Sequence, residues 1–276
     1  MFKGRTLCIA SMHEKERVLK PLLEKEVGVK CIVPENLNTD ELGTFSGEVE
    51  RKLTPLETAK QKCVLAMQLS NCDLAIASEG SFGPHPIYGF IPSDDELLFF
   101  YDKKNKLEII AHELSTQTNY AYDEFQNYDQ AIDFASSVLF PSHGLIVKDK
   151  NNQVIEKGIT NWEQLKSAFS KAQQIYSIVK IETDMRAHFN PTRMEVIQQC
   201  AHKLIKAIQS TCPNCKTPGF IVVNSLPGLP CDRCEAPTRS VLKHIYQCKK
   251  CNHQKEVEHP NGKYHEDPMY CDFCNP

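Results

Sequence analysis

Hydrophobic positions in the first three quarters of the chain alternate between two periods. Short apolar runs at 5–11, 28–34 and 73–78 predict buried strands. Between them, residues 14–27 and 54–70 repeat apolar positions at helical spacing, which predicts helices. This β-α-β-loop-α-β order is typical of an α/β fold in which helices flank a mixed or parallel sheet.

Polar residues mark the start of the second predicted helix. Thr54, Pro55 and Glu57 occupy the N-cap, first and third positions, the arrangement of a capping box. Pro21 predicts a kink in the first helix. Further hairpins, helices and a strand are predicted over 95–115, 121–139, 143–159, 161–174, 176–184 and 190–209.

The thirteen cysteines fall into two groups. Five are scattered singly in the first 200 residues, mostly in apolar contexts, which indicates buried reduced thiols. The other eight form four C-x-x-C pairs, and each such turn can present two thiolates to one Zn²⁺. The predicted ligands are Cys212, Cys215, Cys231, Cys234, Cys248, Cys251, Cys271 and Cys274. Four pairs can hold two structural Zn²⁺ ions in sequential or crossed order, and the spacing leaves both open.

These cysteines divide the chain into an α/β domain at 1–210 and a zinc-ribbon-type domain at 211–276. The second domain has eight basic and seven acidic residues, and two Zn²⁺ ions with eight thiolates add about −4. Because a phosphate-binding surface needs a positive excess, we expect a module docked on its neighbour or on a partner. A nucleic-acid or protein partner bound through this domain stays open as the alternative.

Composition predicts a globular protein. The net charge is −3, and no apolar run approaches the roughly 20 residues that a membrane-spanning helix needs. The first residues reach a charged segment after one short apolar patch, which argues against a cleaved secretory signal. We expect a cytoplasmic protein without membrane association.

Polar residues that could bind a ligand follow the first predicted strand. Ser11, His13 and Lys15 lie where that strand gives way to a helix. A helix N-terminus offers free N–H groups and a partial positive charge, and Lys15 adds a full one, so the group suits a phosphate. The alternative is that Ser11 is a plain N-cap beside solvated charges.

Two more groups follow along the chain. One surrounds the second helix start and comprises Glu48, Glu50, Arg51, Glu57, Lys60 and Lys62. Glu57 is also explained as the capping partner of Thr54. The other is Glu79, directly after the strand at 73–78, with Ser81 between two glycines. A carboxylate at the carboxyl edge of an α/β sheet can hold Mg²⁺.

The order of these motifs resembles inosine-triphosphate pyrophosphatase-like enzymes. The matching pieces are a Ser-x-x-x-Lys loop ending at Lys15, a Glu-Thr-Ala-x-x-Lys helix, and a strand ending in Glu79 and glycine. The resemblance covers roughly residues 5–160. It implies Mg²⁺-dependent hydrolysis of non-canonical purine nucleoside triphosphates, with Lys15 on phosphates and Glu79 on metal. Ser-Glu-Gly-Ser stands here in place of Asp-Ser-Gly, which leaves the catalytic base open.

The chain as a whole resembles an uncharacterised bacterial family with C-terminal C-x-x-C knuckles. The stretches that carry this resemblance are LGTFSGEVER, SEGSFGPHP and ETDMRAHFNPTRM, together with the knuckles. No function comes with it.

A fourth polar group lies at 182–193, outside the part that resembles the pyrophosphatases. Asp184 ends a predicted strand, Arg186 and His188 follow, and Arg193 lies in the first turn of the next helix. Two arginines beside a helix N-terminus predict an anion clamp. The alternative is that Arg186 simply pairs with a neighbouring carboxylate.

Together these groups predict a Mg²⁺-dependent hydrolase of a nucleoside triphosphate or related phosphoanhydride. The predicted catalytic residues are Glu79, Lys15 and Asp184, with Glu50 as a further metal ligand. The predicted substrate contacts are Ser11, His13, Ser81, Arg186, His188 and Arg193. The alternative is a zinc-ribbon protein that binds nucleic acid or protein and carries a non-catalytic, ligand-binding α/β domain.

Overall fold

The computed structural model describes residues 1–38 and 53–276, and the chain divides into two compact units. Unit 1 is Met1–Ile205 and unit 2 is Lys206–Pro276. No helix within the described ranges is long and apolar enough to cross a membrane. The sequence candidates Glu48, Glu50 and Arg51 lie outside the described residues.

The first sheet of unit 1 has five strands. They are β1 (Thr6–Ala10), β2 (Lys30–Ile32), β3 (Leu74–Pro84), β4 (Pro92–Asp102) and β5 (Leu107–Ser115). Their order across the sheet is β2-β1-β3-β4-β5. β1 is parallel to β2 and β3, whereas the β3–β4 and β4–β5 pairs are antiparallel. The mixed α/β fold predicted from the sequence is therefore confirmed.

Helices α1 (Glu16–Val27) and α2 (Pro55–Ser70) form where the sequence predicted them. Thr54 accepts a hydrogen bond from the Glu57 N–H while the Glu57 carboxylate accepts one from the Thr54 N–H, which completes the capping box. Small α2 side chains let this helix pack closely on one face of the sheet. The shared core includes Ala59, Cys63, Ala66, Met67, Ala75, Ala77, Leu97 and Phe99.

Strand β3 is longer than the sequence predicted. The expected strand end at Ser78 is wrong, because all 11 residues of β3 pair with β4, from Leu74 opposite Asp102 to Pro84 opposite Pro92. β1 ends earlier, with its last residue opposite Ala77. Glu79 consequently lies within an antiparallel strand pair, just beyond the carboxyl end of β1.

The second sheet of unit 1 is antiparallel throughout. Its strands are β6 (Tyr122–Phe125), β7 (Leu145–Lys148), β8 (Val154–Ile159) and β9 (Val179–Thr183), in the order β6-β9-β7-β8. Helices α3 (Tyr128–Ser137) and α4 (Trp162–Gln173) contribute buried residues to the core of this sheet. Helix α5 (Pro191–Gln209) follows β9.

One helix in this region is shorter than predicted. The helix expected over 121–139 begins only at Tyr128, because Asn127 caps it through the Gln130 N–H. The residues before the cap form β6 instead, with Phe125 paired to Val179 of β9. The aromatic residue Phe125 of this short strand happens to continue the helical spacing of the apolar residues, which made the predicted helix too long.

Unit 2 contains a three-stranded antiparallel sheet. β10 (Ile221–Pro227), β11 (Val241–Gln247) and β12 (Gln254–Glu258) lie in that order, and none of their residues is fully buried. The main apolar cluster among its described residues is small and contains Phe220 with two cysteines, Cys212 and Cys248. Such a core is too small to hold a fold of this size alone, which is typical of metal-stabilised modules.

Three of the five scattered cysteines are buried free thiols, as predicted: Cys31, Cys63 and Cys200. Cys8 and Cys72 are joined by a disulfide bond, so the expectation of reduced thiols is wrong for this pair.

Candidate metal centres and candidate anion site

Each C-x-x-C pair of unit 2 closes the same tight turn. The backbone N–H of the residue after the second cysteine donates to the carbonyl of the first cysteine, at 2.9 Å in all four turns. In the first three turns the donor residue has a positive φ, as at Lys216, Glu235 and Asn252. This left-handed residue turns the chain back on itself, so both thiols of a pair point to the same side.

The four pairs meet in crossed order, the first with the third and the second with the fourth. One group is Cys212, Cys215, Cys248 and Cys251, and the other is Cys231, Cys234, Cys271 and Cys274. The shortest sulfur–sulfur distances between pairs lie between 3.6 and 3.8 Å. A tetrahedral ion with Zn–S bonds of about 2.3 Å places its sulfurs about 3.8 Å apart, so both groups fit Zn²⁺.

Strand direction explains the crossed order. β10 begins after the first C-x-x-C turn and ends before the second, and β11 returns from the second turn to the third. β12 then leads from the third turn towards the fourth. Because successive strands are antiparallel, odd-numbered turns collect at one end of the sheet and even-numbered turns at the other. Seven residues of strand, roughly 23 Å, would separate sequential partners.

Lys15 is a buried cation at the end of the β1–α1 loop in unit 1. Its side chain is only 5% exposed, and Nζ donates to the Ser78 hydroxyl at 2.6 Å. Burial, reinforced by the nearby Arg193 charge, lowers the pKa of Lys15 to about 7. The amine therefore gains or loses its charge near neutral pH, and an anion bound beside it would favour the charged form.

Arg193 of α5 is a second buried cation, and it contacts Glu96 of β4. Its Nε donates to Glu96 Oε1 at 2.6 Å, and both side chains are fully inaccessible. Another guanidinium nitrogen donates to the Met185 carbonyl. Gly80 of β3 lies opposite Glu96, and a Cβ at this position would come within 2.4 Å of Glu96 Oε1. The glycine that follows Glu79 thus makes room for the Arg193–Glu96 ion pair.

Asp94 adds a buried carboxylate to the same strand. It lies two residues before Glu96, on the same face of β4, and is 0% exposed. Neither of its oxygens has a hydrogen-bond partner among the described residues. Burial, followed by the neighbouring Glu96 charge, raises the pKa of Asp94 to about 8.

Two histidines from distant segments stack on each other. The His13 and His188 ring centroids are 5.1 Å apart, and the backbone N–H of His13 donates to the Ser11 hydroxyl at 3.3 Å. Burial, followed by the charge of Lys15, lowers the pKa of His13 to about 2, with further contributions from His188 and two arginines. His13 is consequently neutral at neutral pH.

Arg186 pairs with a neighbouring carboxylate, which was the alternative to an anion clamp. It binds Asp184 through Nη2 at 2.5 Å and through Nε at 3.0 Å, and its backbone N–H also donates to this carboxylate. Asp184 is fully buried, whereas Arg186 keeps 19% of its side chain exposed. Asp184 therefore orients Arg186, and the guanidinium retains a face that can meet an anion.

Glu79 leaves β3 on the other side from the Ser78 hydroxyl that binds Lys15, although the charges of Glu79 and Lys62 still act on Lys15. Alternation along β3 places Glu79 on the opposite sheet face from Ser78. There it pairs with Lys62 of α2, whose Nζ lies 2.5 Å from Glu79 Oε1. Both side chains are largely buried. Ser81 lies further along β3 and is exposed.

Six of the predicted site residues come together around His13: Ser11, His13, Lys15, Arg186, His188 and Arg193. Sequence reasoning missed Asp94 and Glu96, which share a face of β4 with this group. A signal was present, because PSDDELLFF has three consecutive acidic residues leading into a buried strand, and strand alternation directs two of them to one face. Lys62 was named only as part of the α2 group.

The fold and the two Cys₄ groups define a class: a mixed α/β protein with a C-terminal module able to hold two metal ions. Residues 62–276 match the family model described as domain of unknown function DUF6671, and the chain belongs to this family. No curated protein is similar enough to the chain to count as a match.

Proposed function

We propose that unit 1 binds a small molecule with a phosphoanhydride, best represented by a nucleoside triphosphate, and hydrolyses it with a divalent cation. The observation that carries this proposal is the gathering of basic side chains from separate segments beyond the end of β1. Lys15 and His13 come from the β1–α1 loop, His188 stacks on His13, and Arg193 reaches the same region from α5.

The protonation of these groups suits an anionic ligand. Arg186 and Arg193 carry permanent charges, and Lys15 can take a proton when a phosphate binds beside it. His13 stays neutral, so one ring nitrogen can donate to a phosphate oxygen while the other accepts. Charge developing on a leaving phosphate would be stabilised by cations already held in place by Asp184 and Glu96.

The resemblance to inosine-triphosphate pyrophosphatase-like enzymes supports a nucleotide as the substrate. Lys15 lies beyond the carboxyl end of β1, where ligands bind in many α/β sheets. Glu79 is proposed to hold Mg²⁺ or to orient water, and its partner Lys62 belongs to the Glu-Thr-Ala-x-x-Lys motif. Magnesium would supply charge neutralisation and activation of water when bound.

Hydrolysis tests the proposal directly. The zinc-loaded protein is incubated with Mg²⁺ and a panel of ribonucleoside and deoxyribonucleoside triphosphates, including inosine and xanthosine forms, and phosphate and pyrophosphate are measured separately. We expect turnover of at least one substrate and a loss of about a hundredfold in kcat/KM in Lys15→Met. Glu79→Gln should also lose activity. Glu108→Gln, at a solvent-accessible ion pair on β5, is the matched control.

Absence of both products with every substrate would refute the proposal. Equal activity in Lys15→Met and Glu108→Gln would show that the hydrolysis takes place elsewhere.

A second candidate function is docking of unit 2 on a protein. It is supported by exposed apolar side chains near the fourth C-x-x-C turn: Tyr264, Met269, Tyr270 and Phe273. Single-stranded nucleic acid could also stack on aromatic rings, but its binding would be strongly salt-dependent. A gel-shift series over salt separates the two, because protein docking predicts no shift with RNA or DNA at any salt concentration.

A further inference from the structure

Asp94 and Glu96 form a pair of buried carboxylates that the predicted mechanism does not use. They are two residues apart on β4, so their side chains leave the same face of the sheet. Both are 0% exposed. The residues opposite them on β3 are Phe82 and Gly80, neither of which carries an acidic or basic side chain.

Most of the oxygen atoms of this pair have no donor. Arg193 satisfies Glu96 Oε1, but Glu96 Oε2 and both Asp94 oxygens have no hydrogen-bond partner among the described residues. Buried polar atoms are nearly always paired, and an uncompensated buried carboxylate is strongly unfavourable. Three such oxygens on one face of a buried strand indicate a missing partner that is positively charged and small.

We propose that Asp94 and Glu96 bind one divalent cation, Mg²⁺ or Mn²⁺, through these three oxygens. Hard divalent cations prefer carboxylate oxygens and complete their shell with water or phosphate. A single proton shared between the two carboxyls would satisfy at most two of the three oxygens. The cation can satisfy all of them.

This site is distinct from Glu79, which lies on the opposite sheet face against Lys62. It is on the face that also carries Ser78, the partner of Lys15, and the Arg193 guanidinium. The cation would therefore bind both the protein carboxylates and the phosphates of the substrate. That role rests on the proposed function, whereas binding of the cation itself does not.

Direct binding of Mn²⁺ to the full-length, zinc-loaded protein tests the site without substrate. Free Mn²⁺ is followed by electron paramagnetic resonance in a titration, with Mg²⁺ as competitor. We expect the wild-type protein to bind Mn²⁺, with the tightest site at least about tenfold weaker in Asp94→Asn and unchanged in Glu79→Gln. Manganese does not compete for the Cys₄ groups, because thiolates favour zinc.

Asp95→Asn is the matched control. It is the adjacent residue on the opposite face of β4, and its side chain is 49% exposed. This variant should bind Mn²⁺ like the wild-type protein. A zinc content unchanged in both variants, with cooperative urea unfolding, shows that they are folded.

No Mn²⁺ binding by the wild-type protein, or equal binding by the two variants, would overturn the proposal. If ¹³C NMR then showed Asp94 protonated at neutral pH, a shared proton would be the missing partner instead. Intact Mn²⁺ binding without hydrolysis of any nucleotide would reject the proposed function and leave the cation site standing.

Discussion

The metal centres of unit 2 and the polar site of unit 1 are built in opposite ways. Each C-x-x-C turn is closed by a hydrogen bond within five consecutive residues, so its chemistry is local. The unit 1 site takes residues from four segments, at 11–15, 78–80, 94–96 and 184–193, which sheet register and the tertiary contacts of Arg193 and His188 bring together. Spacing therefore reveals the first kind of site and hides much of the second.

Breaking one metal centre should give the largest effect. Cys215→Ser removes one of the four ligands of the first group, so zinc content should fall from about two ions to about one. The effect should be large because a structural zinc site contributes on the order of 10 kcal/mol to folding. Alkylation of the folded variant, read by mass spectrometry, should label Cys248 and Cys251. Cys231 and Cys234 should stay protected because they belong to the other group.

The labelling pattern distinguishes the two pairings. Alkylation of Cys231 and Cys234 in place of Cys248 and Cys251 would establish sequential pairing and contradict the fold of unit 2. Cys31→Ser, which alters a buried free thiol of unit 1, should keep both ions.

Breaking the buried ion pair of unit 1 should give the next largest effect. Glu96→Gln leaves Arg193 without its charged partner in a fully buried position, which costs about 3–5 kcal/mol of unfolding free energy. Urea denaturation of zinc-loaded protein measures the loss. The accessible Lys60–Glu108 pair provides the comparison, because Glu108→Gln should change stability by less than about 1 kcal/mol. Equal losses in the two variants would mean that Arg193 is not buried against Glu96.

Two glycines on β3 sharpen the comparison further. Gly80→Ala places a Cβ against the Glu96 and Arg193 side chains, and overpacking of this kind costs about 1–3 kcal/mol. Gly83→Ala has open space around its Cβ and should be nearly neutral. Thermal and urea unfolding of the two variants give the difference. If Gly80→Ala and Gly83→Ala were equally stable, the Arg193–Glu96 ion pair would not be packed against Gly80.

The pH dependence of anion binding should give a smaller effect. Because the pKa of Lys15 is lowered to about 7, its amine is protonated below this pH and neutral above it. Sulfate keeps its charge in this range, so its affinity should fall about tenfold, or ~1.4 kcal/mol, between about pH 6 and pH 8. The stability contribution has the opposite sign: above about pH 7 the folded amine is neutral, whereas the unfolded amine stays protonated up to about pH 10.5. Rising pH therefore disfavours the unfolded state, and stability increases over this range.

Other groups near Lys15 define the control for this experiment. His13 has a pKa of about 2 and stays neutral throughout the range. Asp94, with its pKa raised to about 8, gains negative charge in the upper part and also weakens sulfate binding. Lys15→Met should therefore bind sulfate more weakly and with a shallower pH dependence. An unchanged profile in Lys15→Met would exclude Lys15 from the site.

Local signals predicted a large part of the fold. The helices predicted at 54–70, 161–174 and 190–209 each begin at a capping residue, Thr54, Asn161 and Asn190, because a cap depends on three or four neighbouring residues. The metal ligands were predicted for the same reason. Their crossed order follows once three antiparallel strands are placed between the four turns.

Long-range pairing set the limits of prediction. Glu79 was expected after a strand end, but pairing with β4 continues the strand past it and directs its side chain towards Lys62. Glu96 was predicted only as part of a hairpin and Asp94 was not singled out, because nothing in the immediate sequence shows that Arg193, about a hundred residues away, contacts Glu96. Tertiary contacts decide both cases.

The central claim is that separate segments of unit 1 form one phosphate-binding site around Lys15. Calorimetric titration of the zinc-loaded protein with a non-hydrolysable nucleoside triphosphate and Mg²⁺ tests it most directly. Lys20→Met, an exposed lysine of α1, is the matched control for Lys15→Met. We predict one binding site, with affinity unchanged in Lys20→Met and at least about tenfold weaker in Lys15→Met. No binding to the wild-type protein, or equal affinities in the two variants, would contradict the claim.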